Sequence, residues 1–209
     1  MKDLIVVGAS GFGMEVLWLA ERCGRSVYGF LDDTPEKQGA LVLGRPVLGK
    51  ISSWLQYDNC DFILAIGSPR GRRAVANKME STGTPSYATL VDPDAIIGKN
   101  ITIREGVIIC AGSICTASIE IGRHTIINLN CTVGHESALG EFCTIAPSVS
   151  ISGNTKMGDI VEVGTGAKIR EKVSIATGCV IGMGSVLTKN TAENKVLVGN
   201  PARTIKTVE

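Results

Sequence analysis

One histidine in this sequence has the neighbour that general-base catalysis needs. The chain contains two histidines, His124 and His135, and Glu136 directly follows the second of them. A carboxylate beside a neutral imidazole fixes its tautomer and raises its basicity, which suits a base that acts near neutral pH. We therefore predict that His135 is a general base and that Glu136 tunes it. An ordinary surface histidine is the alternative that these residues alone leave open.

The stretch that contains this pair repeats with a period of six residues, from Val91 to Leu187. Every sixth residue is aliphatic or nearly so, and a small or β-branched residue follows four places after each one. This pattern is typical of a parallel β-helix, in which three hexapeptides form one coil. It predicts about five coils, stacked at the ordinary strand spacing of roughly 4.8 Å. An ordinary β-sandwich would instead show period two with irregularly spaced turns.

The length of one coil relates other residues to His135. Gly153 follows one coil later at the same phase, so its N–H is predicted to point into the same groove and donate to an oxyanion. His124 falls on a different side of the coil, where we expect it at a solvated corner. Two histidines placed in this way cannot form the three-histidine cage of a catalytic zinc site, so we predict no metal.

Residues 1–88 are predicted to form a separate α/β domain, and residues 89–209 the β-helix domain with a C-terminal extension. Strands and helices alternate in the first segment, which favours a short parallel sheet. The predicted elements are strands at 4–7, 27–31, 41–43 and 62–66, a helix at 14–23, and a second helix that reaches about residue 79.

A glycine turn connects the first predicted strand to the first predicted helix. Its backbone N–H groups and the helix N-terminus can receive a phosphate, but the spacing of Gly8, Gly11 and Gly13 is not the dinucleotide form G-x-G-x-x-G. Asp32 ends the second strand, where an acidic side chain can bind a ribose hydroxyl or a base edge. Together these features favour a nucleotide-sugar over a whole NAD. A turn that only closes the strand–helix corner is the alternative.

Charge and composition restrict the other partners. A net charge of +1 gives no electrostatic reason to expect nucleic acid or an anionic membrane surface. The basic residues Arg70, Arg72 and Arg73 are expected to line a solvated helix face or to contact phosphate. No signal peptide or apolar run of about 20 residues is evident, so we predict a cytoplasmic protein without membrane insertion. The seven cysteines are expected to be reduced thiols, mostly inside the β-helix.

Six segments carry a resemblance to a known group of proteins. They are GASGFG at 8–13, FLDD at 30–33, AIG at 65–67, VGHE at 133–136, GEF at 140–142 and VGNPA at 198–202. Over nearly its whole length the chain resembles bacterial sugar acetyltransferases with a nucleotide-sugar-binding N-terminal domain. This group includes the UDP-4-amino-sugar N-acetyltransferases of the bacillosamine pathway, the perosamine N-acetyltransferases and the sialic acid O-acetyltransferases.

The resemblance implies a small Rossmann-like α/β domain followed by a left-handed β-helix. It also implies a homotrimer with acetyl-CoA grooves between neighbouring β-helices. His135 matches the catalytic base, and Glu136 matches the residue that tunes it. The residues that match acetyl-CoA contacts are Thr144, Gly153, Thr165 and Met183. The residues that match nucleotide-sugar contacts are Ser10, Gly11, Phe12, Asp32, Asp33 and Gly67.

Two positions depart from the family pattern. Members often have histidine where this chain has Phe12, which puts in doubt a polar contact near the sugar or phosphate. Some carry a second histidine where this chain has Thr144, which weakens one acetyl-CoA contact.

Ile108, Ile126 and Val180 lie at outward phases of the repeat, and their expected exposure in a monomer favours the trimer.

Two classes of function follow from the sequence. The first is an acetyl-CoA-dependent N-acetyltransferase that acts on a nucleotide-linked amino sugar in bacterial surface-glycan biosynthesis. Close variants are O-acetylation of a free sugar such as sialic acid, or transfer to a small acceptor such as serine. An amine is favoured because its neutral form attacks a thioester unaided, so that one base is enough. The second class, a non-catalytic sugar-nucleotide-binding protein, is disfavoured by the presence of the His135–Glu136 pair.

Overall fold

The computed structural model describes residues 2–208, which form two compact units with a division between Leu90 and Val91. The first unit is the predicted small α/β domain, and the second is a parallel β-helix with its own continuous apolar core. The predicted order of fold types, an α/β domain followed by a left-handed parallel β-helix, is confirmed.

The first unit is built on a five-stranded sheet with strand order β3–β4–β2–β1–β5. β1 is parallel to both β2 and β5, β4 is parallel to β2, and β3 is antiparallel to β4. The strands are β1 (Leu4–Val7), β2 (Val27–Leu31), β3 (Leu41–Val42), β4 (Arg45–Gly49) and β5 (Asp61–Leu64). The helices are α1 (Gly11–Arg22), α2 (Pro69–Glu80) and the short 3-10 helices Pro35–Lys37 and Ile51–Tyr57. Strand β4 and the second 3-10 helix were not predicted.

Helix α1 begins at Gly11, three residues before the predicted start. A Cβ atom on Gly13 would lie 2.1 Å from the carbonyl oxygen of Gly8, so the first turn of the helix packs directly on the preceding turn. Gly11 and Gly13, predicted to lie in the turn, thus belong to the helix, and close packing overrides the low helix propensity of glycine here. The loop between β1 and α1 is therefore only three residues long.

The second unit stacks short parallel strands one coil apart. Ile126 pairs with both Ile108 and Thr144, each 18 residues away, and the other strands follow the same rule. The strands on the first side are β6 (Leu90–Val91), β8 (Ile108–Ile109), β10 (Ile126–Ile127), β13 (Thr144–Ile145), β16 (Glu162–Val163) and β19 (Val180–Ile181). The second side has β11 (Thr132–Val133), β14 (Ser150–Ile151), β17 (Lys168–Ile169) and β20 (Val186–Leu187), and the third has β12 (Ala138–Leu139), β15 (Lys156–Met157) and β18 (Ser174–Ile175).

Longer strands begin and end the stack. β7 (Ile96–Ile103) and β9 (Ile114–Ile121) each run along the second side and continue onto the third. A hairpin of β21 (Lys195–Gly199) and β22 (Ala202–Thr207) follows the last coil, and β21 pairs parallel with β19. The aliphatic residues of the repeat form one core, as the period of six predicts, and only those of the first coil, such as Val91 and Ile97, are partly exposed.

Each side ends at a corner where the chain turns through the left-handed region. The turning residues recur every six positions, for example Asn100 (φ 57°), Glu136 (φ 58°) and Asn154 (φ 59°). We call the corners after the first, second and third sides the first, second and third corners. In one coil they are residues 128–130, 134–136 and 140–142.

The expected exposure of the outward aliphatics is wrong for two residues. Ile108 and Ile126 are 0% and 1% exposed within the chain itself, whereas Val180 is half-buried. The phase of the repeat gives the direction of a side chain relative to the coil axis, but it does not determine how exposed that side chain is. These two isoleucines therefore give no support for a trimer.

Candidate active site

The second corner holds His135 and Glu136 in direct contact. The distance from His135 Nδ1 to Glu136 Oε2 is 3.0 Å, and both side chains are mostly exposed. An ionised carboxylate only accepts hydrogen bonds, so in this contact Nδ1 carries the proton. The neutral ring then has its lone pair on Nε2, which is the arrangement required of a general base.

Gly153 lies against the free edge of the His135 ring, one coil later. A Cβ atom at this position would be only 2.6 Å from His135 Nε2, so a glycine leaves the space that the basic nitrogen faces. Among residues 2–208, no backbone acceptor takes the N–H of Gly153. The structure therefore brings the Nε2 edge of His135 and a glycine whose N–H has no backbone acceptor among the described residues together in neighbouring coils of one corner.

Asn154 is a polar neighbour of the pair that the sequence reasoning missed. Its side-chain Nδ2 donates to Glu136 Oε2 at 3.4 Å, and its backbone N–H donates to the carbonyl oxygen of His135 at 2.7 Å. It follows Glu136 by one coil in the same corner. The 18-residue spacing that identified Gly153 would also have identified Asn154.

The residues predicted to contact acetyl-CoA do not all lie together in one chain. Gly153 is at the second corner, beside His135. Thr165 and Met183 are both exposed and stack at the first corner, one coil apart. Thr144 is half-buried on β13 of the first side, which leads into that same corner. One side of the coil therefore separates Gly153 from the other three.

The first unit gathers most of the predicted nucleotide-sugar residues at the carboxyl edge of its sheet. Ser10 and Gly11 are exposed where β1 passes into α1, and Gly67 is exposed after the neighbouring strand β5. Phe12 lies in the first turn of α1 and is half-buried. Ser10 is the N-cap of α1, but its side chain makes no capping hydrogen bond. Two helix N-termini, those of α1 and α2, follow adjacent strands at this edge.

The carboxylate of Asp32 already accepts hydrogen bonds from other residues of the same chain. Its Oδ2 accepts the N–H of Ala9 at 2.7 Å and faces Lys37 Nζ at 3.2 Å, while its Oδ1 accepts the N–H of Thr34 at 2.9 Å. Burial alone would raise the pKa of Asp32. The hydrogen bonds from Thr34, Ala9 and Lys37 together outweigh burial and lower the pKa to about 2. The carboxylate thus holds the glycine turn in place, a contact that the strand-end position alone did not predict.

We expect Asp32→Asn to destabilise the first unit by about 2 kcal/mol at neutral pH, because the lowered pKa measures how strongly the fold favours the charged form. The stabilisation is present above the unfolded pKa, near 4, and is lost as the pH falls through the folded pKa of about 2. Both tryptophans, Trp18 and Trp54, lie in this unit, so urea unfolding followed by tryptophan fluorescence reports on it specifically.

The matched control for that experiment is Asp33→Asn. Asp33 accepts the N–H of Ile51 at 2.8 Å and faces Lys78 at 3.2 Å, but its side chain is 47% exposed, so the expected loss is below about 1 kcal/mol. The stabilising role of the Asp32 carboxylate is refuted if Asp32→Asn lowers the free energy of unfolding no more than Asp33→Asn does. It is also refuted if the loss in Asp32→Asn stays constant between pH 7 and pH 3.

Arg72 differs from its expected position. It was expected on a solvated face of α2 or in contact with phosphate, but it is only 1% exposed and donates to the carbonyl oxygens of Ile66 and Gly67. It therefore braces the loop that presents Gly67. Arg70 and Arg73, on the same helix, are exposed.

His124 was expected at a solvated corner, and this is wrong. The residue does lie at the third corner, but it is fully buried. Its ring stacks on Phe142, one coil later, with centroids 4.9 Å apart and an angle of 22°. On the other side it packs against Gly106, one coil earlier, where a Cβ would lie 2.2 Å from Nδ1. His124 is therefore shielded from solvent between Gly106, which has no side chain, and the aromatic ring of Phe142.

The cysteines are mostly core residues. All seven are free, and six are buried, as expected for reduced core thiols. Burial raises the pKa of both Cys115 and Cys131 to about 11, so these thiols are protonated at neutral pH and are poor nucleophiles.

In the described chain, no three His, Cys, Asp or Glu side chains are grouped to hold a metal. Within residues 2–208, no helix is long and apolar enough to cross a membrane.

The sequence profile of the PglD N-terminal domain matches residues 3–79. The structure of a perosamine N-acetyltransferase mutant from Caulobacter crescentus, in complex with CoA and GDP-perosamine, is similar over 99% of this chain and 98% of its own, with a TM-score of 0.92 and 25% identity. The acetyltransferase domain of PglB from Neisseria gonorrhoeae is 30% identical, with a TM-score of 0.91, over 98% of this chain and all of its own. The latter domain is also known in complex with acetyl coenzyme A.

The chain is also similar to longer proteins. An acyl-[acyl-carrier-protein]–UDP-N-acetylglucosamine O-acyltransferase from Pseudomonas aeruginosa is 29% identical over 108 residues. The match covers 51% of this chain and 42% of that protein, so the chain spans less than half the length of these curated relatives.

Proposed function

Because the chain belongs to the hexapeptide-repeat family of sugar acetyltransferases, we propose that it transfers an acetyl group from acetyl-CoA to the amino group of a nucleotide-linked sugar. The observation that carries this proposal is the second corner, where Glu136 orients His135 and Gly153 leaves open the space that Nε2 faces. Similar structures that bind CoA, acetyl-CoA or GDP-perosamine support the choice of both substrates.

The proposed reaction is a direct transfer. The neutral amine attacks the thioester carbonyl carbon, which forms a C–N bond and an oxyanion that the Gly153 N–H stabilises. His135 Nε2 accepts the proton that the nitrogen loses. The C–S bond then breaks, and CoA leaves as a thiolate that takes this proton from His135, which returns the base to its neutral form. No acetyl-cysteine forms on this route, which agrees with the burial of six of the seven cysteines.

For the nucleotide-sugar, we propose the carboxyl edge of the five-stranded sheet. Exposed backbone near Ser10 and Gly11 at the N-terminus of α1 suits a phosphate, because unpaired N–H groups and the helix dipole favour negative charge. Gly67, on the neighbouring strand end, adds backbone without a side chain. In this proposal Asp32 acts mainly by holding the turn, whereas the more exposed Asp33 and Phe12 contact the ligand.

We infer that the enzyme is a homotrimer in which each acetyl-CoA groove lies between two copies. Within one chain, Thr165 and Met183 are one coil side away from Gly153, and the Met183 side chain is 77% exposed. A neighbouring copy would supply the facing wall and cover this apolar residue. Light scattering should give three times the chain mass of 22.0 kDa. A monomer at micromolar concentration would refute the shared groove.

A substrate panel tests the reaction itself. UDP-, dTDP- and GDP-linked amino sugars are offered with acetyl-CoA beside free sialic acid and serine, and the products are read by free thiol and by mass spectrometry. We expect one nucleotide-linked amino sugar to gain an acetyl group and the free acceptors to remain unchanged. If only sialic acid or serine were acetylated, the nucleotide-linked amino sugar would be refuted as the acceptor. If no compound in the panel released thiol from acetyl-CoA, a non-catalytic binding protein would be favoured.

A further inference from the structure

We infer that Asn154 is a positioning residue for the proposed base, acting through the carboxylate of Glu136. This inference rests on the proposed function, because it assigns Asn154 a role only if His135 is the base. The residue has contacts with both members of the pair and lies half-buried beneath them in the next coil.

The geometry connects three side chains through one oxygen. Glu136 Oε2 receives Nδ1–H of His135 at 3.0 Å and Nδ2–H of Asn154 at 3.4 Å. Glu136 is otherwise a mostly exposed side chain, and an exposed glutamate samples several rotamers. A second donor on the same oxygen reduces that freedom and keeps the carboxylate beside Nδ1. The backbone hydrogen bond from Asn154 to the His135 carbonyl fixes the donor relative to the ring.

The orientation of the ring then follows. With Nδ1–H bound to the carboxylate, Nε2 faces Gly153, which precedes Asn154 in the chain. One dipeptide therefore supplies both the open space at Nε2 and the amide that steadies the opposite side of the imidazole. Outer groups that orient a functional histidine in this way are known to affect activity without touching the substrate.

Another asparagine in the second corner, Asn100, provides a matched comparison for Asn154. Asn100 occupies the same corner two coils before Glu136, has the same left-handed backbone (φ 57°), and donates to Ser118 Oγ at 3.1 Å. Asparagine tolerates this conformation, so its occurrence at a corner needs no functional reason. What distinguishes Asn154 is its acceptor, the carboxylate that holds the base.

The test compares Asn154→Gly, Asn154→Asp and Asn100→Asp. Glycine keeps the left-handed turn and removes only the amide, so this variant should fold. We expect kcat to fall about tenfold, the usual effect of losing one hydrogen bond to a charged group, with the KM for acetyl-CoA unchanged within twofold. Aspartate adds negative charge near the ring, so the acid limb of the kcat/KM profile should move to higher pH. Asn100→Asp should leave both quantities unchanged.

A double variant separates positioning from a structural role. In a His135→Ala background, Asn154→Gly should cause no further loss of kcat, because there is no ring left to orient. A further tenfold loss there, or wild-type kcat and pH profile in both Asn154 variants, would overturn the inference. Full activity of the single variant His135→Ala would instead refute the proposed base. This result is therefore distinguishable from a failure of the role inferred for Asn154.

Discussion

Replacement of His135 by alanine is expected to lower kcat by about 10²- to 10⁴-fold, the usual contribution of a positioned general base. The side chain is mostly exposed and contacts Glu136 rather than the core, so its removal should leave the fold intact. The KM for acetyl-CoA should change little, because the proposed interaction with the base develops only as the amine loses its proton. Steady-state kinetics at saturating substrate, with thermal unfolding as the check on folding, measure this effect.

Glu136→Ala is the graded comparison for that prediction. It removes the carboxylate that fixes the tautomer but leaves a ring that can still accept a proton, so a smaller loss is expected. If His135→Ala retained more than half of the wild-type kcat, the base would have to be another group. A loss in Glu136→Ala equal to that in His135→Ala would assign the carboxylate a more direct role than tuning.

Gly153→Ala is expected to have the second-largest effect, a fall in kcat of about 10²-fold. The new Cβ would lie 2.6 Å from His135 Nε2, closer than nonbonded atoms approach, so the ring must move. A displacement of about 1 Å in a reacting group is enough for such a loss. The atom that must move is the tip of an exposed side chain, and we therefore expect little change in the unfolding temperature.

Gly122→Ala is the matched control, because its added Cβ would meet backbone instead of a mobile ring. The carbonyl carbon and oxygen of Gly140 would both be 2.5 Å away, within the stack of coils. This variant should lose stability, whereas Gly153→Ala should lose activity at nearly wild-type stability. Wild-type kcat in Gly153→Ala, or an unfolding temperature lowered as far as in Gly122→Ala, would contradict the proposed role of the open space.

The six-residue repeat is enough to predict the β-helix and the residues that meet at the second corner. A repeat of six residues relates each side chain to the ones 18 positions before and after it, so neighbours between coils follow from counting. Counting therefore predicts that His135, Glu136 and Gly153 lie together. The chemistry of the pair followed from sequence adjacency alone. The same spacing places Asn154 beside Glu136.

Which surfaces are covered, and which polar groups already have hydrogen-bond partners, could not be read from the repeat and became clear from the folded chain. Ile108 lies at the outward phase that the repeat predicts, yet it is buried, since the phase gives the direction of a side chain and not its exposure. Asp32 and Arg72 lie in the α/β unit, where no fixed spacing relates contacting residues. Their partners, such as the N–H of Ala9, come from chain folding.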